Sequence, residues 1–137
     1  MDNHESIRLT PEQRAESTLE YKAAGNNCCQ AVLLAFKDLL PYEEEELRSM
    51  GAAFGTGMAA MEATCGALIG AQMILGMLKF KDGPVRADAK DIYLDFEKRT
   101  KATICKDIKG RDTGIMLTSC PDCMRNAVYC LTDKGIG

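Results

Sequence analysis

The sequence predicts an all-α fold: a single compact bundle of five or six helices with a buried central helix. Helix-start signals, apolar residues spaced three and four apart, and a near absence of alternating strand patterns predict it. The chain has 137 residues, enough for one domain with a core. We expect a single domain over residues 1–137, with residues 1–9 as a flexible tail.

The first predicted helix begins at residues 10–13, TPEQ, which supply an N-cap, a first-turn proline and a capping-box partner. It should run to about Ala24 and end at Gly25. Asn26 or Asn27 can cap the second helix. Its apolar stripe consists of Cys29, Val32, Leu33, Phe36 and Leu40.

A third helix follows Pro41, because the acidic run 43–46 suits the positive end of a helix. Residues 51–62, GAAFGTGMAAME, predict a tight connection. Residues 55–60 match the dinucleotide-binding pattern GxGxxA, but no strand precedes them, so we set that pattern aside.

The central helix is predicted over residues 64–79 and is apolar nearly all round, so it should be buried. Gly66 and Gly70 allow another backbone to approach one face closely, either within one chain or across a homodimer. The apolar stretch 63–78 is shorter than the roughly 18 residues of a membrane span, and the N-terminus lacks the features of a secretory signal. We therefore expect a cytoplasmic protein without a membrane span.

A fifth helix is predicted from residue 83 through the neighbourhood of Cys105, ending by Gly110. Its apolar stripe consists of Val85, Ala89, Ile92 and Phe96. After a loop over residues 110–119, the last helix should cover residues 120–131. Its cysteines share a face that should point at the core: Cys120, Cys123 and Cys130.

Seven cysteines are the main chemical feature of the chain. In a reducing cytosol they favour metal or redox roles over a permanent disulfide framework. Cys28, Cys65 and Cys120 each lie within a turn of a predicted helix start, where the helix dipole and free N–H groups favour the thiolate. We expect Cys65 or Cys120 to be the nucleophile, and we expect Gly66 to leave room for a partner to reach the Cys65 sulfur. The alternative is three buried, inert thiols.

Other functional classes find little support in the composition. The net charge of −3 offers no basic patch for nucleic acid. The single histidine, His4, lies in the polar tail, so no Ser-His-Asp site can form. Cys120 and Cys123 form a CxxC, but without a βαβ pattern or a second CxxC it indicates neither thioredoxin nor a zinc ribbon.

The order of these segments resembles the C_GCAxxG_C_C family of redox-active cysteine proteins, whose core motif is CGAxxG. Residues 65–70, CGALIG, match that motif, and the resemblance covers roughly residues 18–131. The other family segments are resembled by residues 25–32, 105–110 and 120–127. The resemblance implies a functional set, as redox thiols or as metal ligands, of Cys28, Cys65, Cys105 and Cys120.

The same resemblance implies that Cys29, Cys123 and Cys130 are additions in this chain. We expect Gly66 and Gly70 of the matched motif to be the cofactor-binding positions. Family members often lie near transporter genes, which implies a functional link to a transporter. Cys105 falls near the end of a predicted helix, where the dipole would raise its pKa. It would then be a resolving or leaving thiol, or a metal ligand.

Three functions stay open. The leading one is a thiol–disulfide oxidoreductase or redox sensor, acting on an unknown partner protein or a small thiol or disulfide. The second is a Cys-ligated iron–sulfur or zinc-binding protein with an electron-transfer or structural role. The third is a helical interaction protein whose cysteines only pack, with residues 50–61 as the partner surface.

Overall fold

The computed structural model describes residues 9–137. Within them the chain forms seven α-helices: α1 (Pro11–Ala23), α2 (Cys28–Ala35), α3 (Glu44–Gly51), α4 (Gly66–Lys79), α5 (Arg86–Thr100), α6 (Cys105–Lys109) and α7 (Cys120–Thr132). Two 3₁₀ turns, Lys37–Leu39 and Phe80–Asp82, and a π-helical segment, Gly57–Met61, complete the helical structure. These residues form no strand, only an isolated antiparallel bridge between Thr64 and Ile104. The all-α prediction is confirmed, with one more helix than expected.

The predicted helix starts are largely confirmed. Thr10 and Gln13 form the capping box of α1. Asn27, and not Asn26, caps α2 and forms a second box with Gln30. The predicted tail, including His4, lies almost entirely outside the described residues.

The predicted fifth helix is wrong in one respect, because the structure divides it in two. Helix α5 ends at Thr100, and Lys101 adopts a left-handed backbone conformation with φ of 78°. A separate short helix, α6, then begins at Cys105. Cys105 therefore lies at the start of a helix, not near the end of one.

Helix α4 lies at the centre of the core, packed against α2 on one side and α7 on the other. Helix α1 covers α2 and α7, α5 packs on α4 and α7, and α3 packs on α2. The predicted burial of α4 is confirmed by side chains that are at most 1% exposed: Ala67, Leu68, Ala71, Ile74 and Leu75. None of the described helices is long and apolar enough to cross a membrane.

Two glycines let α2 and α4 approach each other closely. A Cβ atom on Gly66 would lie 2.6 Å from the Sγ of Cys28 and 2.6 Å from the carbonyl oxygen of Phe54. A Cβ atom on Gly70 would lie 3.0 Å from the carbonyl oxygen of Cys29. The predicted close approach is confirmed, and the approaching backbone belongs to α2 and to the following connection of the same chain.

A buried arginine, which the sequence analysis missed, fixes α1 against the end of α2. The side chain of Arg14 is 0% exposed. Its guanidinium donates to the Asp38 carboxylate at 2.7 and 3.0 Å and to the Ala35 carbonyl at 2.9 Å. It also lies 4.8 Å from the centre of the Phe36 ring. These contacts hold α1, which carries Lys22 in its last turn.

The close approach at Gly66 predicts a large cost for one added methyl group. In Gly66→Ala, Cβ would overlap both the Cys28 sulfur and backbone atoms of residues 54 and 55, so we expect the free energy of unfolding to fall by about 1–3 kcal/mol. Chemical denaturation under reducing conditions measures it.

Gly76→Ala is the matched control on the same helix, because a Cβ there meets nothing within 4 Å. It should raise the free energy of unfolding by about 0.5–1 kcal/mol, as expected for glycine in a helix interior. Equal effects of the two variants would contradict the packing argument.

Candidate functional site: a cysteine-lined cavity

A cavity of about 230 Å³ lies where the first turns of several helices converge. It is lined by five cysteines, two lysines and two uncharged polar residues: Cys28, Cys65, Cys105, Cys120, Cys123, Lys22, Lys109, Asn27 and Thr56. The structure thus brings together all four cysteines implied by the family resemblance. It adds Cys123 and leaves Cys29 and Cys130 outside.

Four of the cavity cysteines occupy helix starts. Cys28, Cys105 and Cys120 are the first residues of α2, α6 and α7, and Cys65 is the N-cap of α4. The predicted placement of Cys28, Cys65 and Cys120 is confirmed, and Cys105 follows the same rule. Because a helix N-terminus carries partial positive charge and free N–H groups, the cavity collects features that favour anions.

The β-bridge positions Cys65 beside Cys105. The backbone N–H of Cys65 donates to the carbonyl of Thr103 at 2.8 Å, and the N–H of Cys105 donates to the carbonyl of Ala63 at 2.9 Å. These reciprocal bonds hold two short extended segments next to each other, just before α4 and α6. Residues far apart in sequence therefore reach the same wall of the cavity.

The glycine-rich connection after α3 forms another wall. A Cβ atom on Gly55 would lie 2.4 Å from the Cβ of Asn27, and one on Gly57 would lie 2.7 Å from the Cβ of Cys105. Between them, the backbone of Thr56 lowers the pKa of Cys28, against the larger opposite effects of Cys65 and burial. The predicted tight connection is confirmed, and its glycines serve close packing around the cysteines.

The space beside Cys65 is also filled from within the chain. We expected Gly66 to leave room for a redox partner to reach the Cys65 sulfur. The structure instead places the Cys28 sulfur and the Phe54 carbonyl against Gly66. Because Gly66 has no side chain, the thiols of Cys28 and Cys65 can lie close together. The glycine of the motif therefore serves packing within the chain and does not open a path to the sulfur.

Three thiols interact in series and are polarised in one direction. A hydrogen bond to Cys65, together with burial, raises the pKa of Cys28 above its ordinary value. A hydrogen bond to Cys123 raises the pKa of Cys65 to about 12. The same bond lowers the pKa of Cys123. The thiolate is therefore disfavoured at Cys28 and Cys65 and favoured at Cys123.

Of these three thiols, Cys123 therefore loses its proton most readily and carries the negative charge. The ammonium group of Lys109 lowers the pKa of Cys123 further, although burial opposes it. We expected Cys65 or Cys120 to be the nucleophile; contact with Cys123, together with burial, raises the pKa of Cys65 although Cys65 lies at a helix start. The family resemblance implied that Cys123 is an addition; its CxxC spacing from Cys120 was the available signal.

Burial raises the pKa of Cys105. The expected direction is confirmed, but the cause differs, because Cys105 does not lie at a helix C-terminus. Its side chain is 3% exposed. Nearby Lys109 opposes the effect of burial without overcoming it.

Lys109 is a second functional candidate that the sequence analysis missed. Its Nζ atom is buried and has no well-formed hydrogen bond among the described residues. Burial lowers the pKa of Lys109, but the neighbouring sulfurs of Cys120, Cys123 and Cys65 together raise it above its ordinary value. Lys109 lies one helical turn after Cys105, a relation that becomes visible only once α6 is known as a separate helix.

The remaining two cysteines lie in the core. The Sγ of Cys29 is 3.9 Å from the Sδ of Met73, and burial raises its pKa to about 12. Burial also raises the pKa of Cys130 to about 12. Within residues 9–137, no three Cys, His, Asp or Glu side chains are grouped so that they could hold a metal ion as they stand.

Residues 26–134 match the family described as "Putative redox-active protein (C_GCAxxG_C_C)". The chain belongs to this family. The match spans every cysteine of the cavity, and the CGAxxG motif places Cys65 and the two glycines at the α2–α4 contact. Comparisons with curated proteins and with solved structures found no match.

The thiol series predicts how the pKa of Cys123 depends on its neighbour. In Cys65→Ala the side chain that lowers the pKa of Cys123 is lost, so the pKa of Cys123 should rise. Cys65→Ser keeps a hydroxyl donor and should give a smaller rise. The measurement is the pH dependence of Cys123 alkylation by iodoacetamide, followed by peptide mass spectrometry.

Cys130→Ala controls for the loss of a buried thiol outside the cavity and should leave the Cys123 midpoint unchanged. An unchanged midpoint in Cys65→Ala would show that the contact between Cys65 and Cys123 does not polarise the site.

Proposed function

We propose that this protein is a thiol–disulfide oxidoreductase or redox sensor whose reactive pair is Cys123 and Cys65. One observation carries the proposal: the two sulfurs interact inside a cavity, and their contact lowers the pKa of one while raising that of the other. Thiol–disulfide exchange needs one thiolate for attack and a second thiol close enough to resolve the intermediate.

The reaction begins at Cys123. Its thiolate attacks one sulfur of a substrate disulfide, and the electron pair of the broken S–S bond leaves with the other substrate sulfur as a thiolate. Cys65 then loses its proton and attacks the Cys123 sulfur of the mixed disulfide, which releases the second substrate thiolate. The protein pair is oxidised by two electrons, the substrate disulfide is reduced to one thiol and one thiolate, and the thiol carries the proton that Cys65 lost.

The other cavity cysteines support this pair. The hydrogen bond from Cys28 lowers the pKa of Cys65 and so stabilises the Cys65 thiolate when it must attack. Cys120 and Cys105 line the same cavity and supply further thiols within it. We therefore retain Cys28, Cys65, Cys105 and Cys120 as the functional set and add Cys123 to it.

Oxidation should link two specific sulfurs. After treatment of the reduced protein with 2-hydroxyethyl disulfide, we expect two free thiols to be lost per chain and peptide mapping to find Cys65 joined to Cys123. Cys123→Ser should abolish this internal disulfide and slow oxidation at least about tenfold, because attack requires the thiolate.

Cys29→Ser and Cys130→Ser are the matched controls and should form the same internal disulfide at a similar rate. If Cys123→Ser also lost two free thiols per chain to an internal disulfide, the assignment of Cys123 would be overturned.

A metal centre is the second candidate function, and the convergence of five cysteines on one cavity favours it. Zinc and iron–sulfur clusters both accept four cysteine ligands, and Cys28, Cys65, Cys105 and Cys120 would be those ligands. Because the side chains are not grouped for a metal as they stand, binding would have to draw the sulfurs together.

Metal content separates the two candidates. The protein is purified anaerobically without tags or chelators, and iron and zinc are measured per chain. The dithiol proposal expects neither metal near stoichiometry. Near-stoichiometric metal that is retained in Cys130→Ser but lost in each of four variants would establish a metal centre instead: Cys28→Ser, Cys65→Ser, Cys105→Ser and Cys120→Ser.

A further inference from the structure

We propose that the cysteine cavity selects a small anionic substrate, a disulfide that carries a carboxylate, through Lys109 inside the cavity and Lys22 beside it. This inference rests on the proposed thiol–disulfide exchange and adds the chemical class of its substrate.

The charge of the cavity wall is the first argument. Two lysines and no carboxylate line it, although the whole chain carries a net charge of −3. A concave site lined by one sign of charge raises the local concentration of ligands of the opposite sign. The cavity is therefore a positive site on an acidic protein.

The buried ammonium of Lys109 is the second argument. An ammonium group has three donors, and burying them without acceptors costs free energy. One helical turn earlier, Lys106 pairs with Glu62 at 3.0 Å, whereas Lys109 pairs with no carboxylate among the described residues. The Cys123 thiolate can offset its charge, but donors are left over that a substrate carboxylate would satisfy.

Lys22 is the third argument. It lies in the last turn of α1, its side chain is exposed, and it forms no ion pair or side-chain hydrogen bond within residues 9–137. The buried contacts of Arg14 fix the helix that carries it. Lys22 therefore lies beside the cavity, and no side chain within residues 9–137 forms an ion pair with it.

The thiols and the two lysines line the same small cavity. With about 230 Å³ available, a carboxylate bound by Lys109 places the remainder of a short disulfide against Cys123, whose charge Lys109 faces. The starts of α2, α4 and α7 add free backbone N–H groups on the same side. Substrate charge and substrate sulfur would then be recognised together.

The test compares three short disulfides of similar size and different charge: dithiodiglycolate (anionic), 2-hydroxyethyl disulfide (neutral) and cystamine (cationic). The readout is the rate of internal disulfide formation in the reduced protein. We expect dithiodiglycolate to exceed cystamine by about tenfold at low ionic strength, and the preference to weaken with added salt.

Variants of lysine identify the source of the preference. Lys109→Met should remove most of the preference, measured as the rate with dithiodiglycolate divided by the rate with cystamine, and Lys22→Gln should remove part of it. Lys90 is an exposed lysine on α5 away from the cavity, so Lys90→Met should leave this ratio unchanged. Loss of Lys109 also slows all three disulfides by raising the pKa of Cys123, so the ratio and not the absolute rate carries the result.

A non-redox probe separates this inference from the proposed function. Alkylation of Cys123 is measured with iodoacetate, an anion, and with iodoacetamide, which is neutral and of similar size. The readout is the ratio of the two rates. Three equally fast disulfides and an alkylation ratio unchanged in Lys109→Met would overturn the anion site and leave thiol exchange standing. No reaction with any disulfide, with the alkylation ratio still dependent on Lys109, would overturn thiol exchange and the substrate while keeping the anion site.

Discussion

The close approach of α2 and α4 at Gly66 is the constraint on which the site depends. A sulfur atom and a carbonyl oxygen occupy the volume that any larger residue would need. Because α4 packs against both α2 and α7, moving it would displace these two helices, whose first residues are Cys28 and Cys120. Packing in the core and proximity of the sulfurs are therefore consequences of the same missing methyl group.

The connection between α3 and α4 is adapted to that contact at a cost in backbone energy. Thr56, Met58, Ala59 and Met61 all adopt positive φ, which L residues rarely do, and each such residue costs of order 1–3 kcal/mol. The segment passes between Asn27 and Cys105, where space is so limited that Gly55 and Gly57 are required. One of these residues, Thr56, lines the cavity, and Met61 lies four residues before Cys65.

Local sequence signals predict much of the fold, but they do not predict which thiol of the site carries the negative charge. Thr10 and Asn27 act through atoms three residues away, so their capping boxes can be found in the sequence. The end of α5 at Lys101 could not, since a left-handed lysine gives no signal of its own, and this concealed both Cys105 as a helix start and Lys109 as its neighbour. The roles of Cys65 and Cys123 depend on a contact between helices α4 and α7, which no local pattern encodes.

The ammonium group of Lys109 also bears on the driving force of the proposed reaction. It stabilises a negative charge on Cys123 that exists only while the pair is reduced. When Cys65 and Cys123 join, that charge disappears and the buried ammonium loses its counter-charge. A group that stabilises the dithiol form in this way raises the reduction potential of the pair, so its disulfide is a stronger oxidant than one between unassisted thiols. Lys109 therefore weakens the driving force for reducing a substrate disulfide and strengthens the reverse exchange, in which the Cys65–Cys123 disulfide accepts two electrons from a dithiol partner.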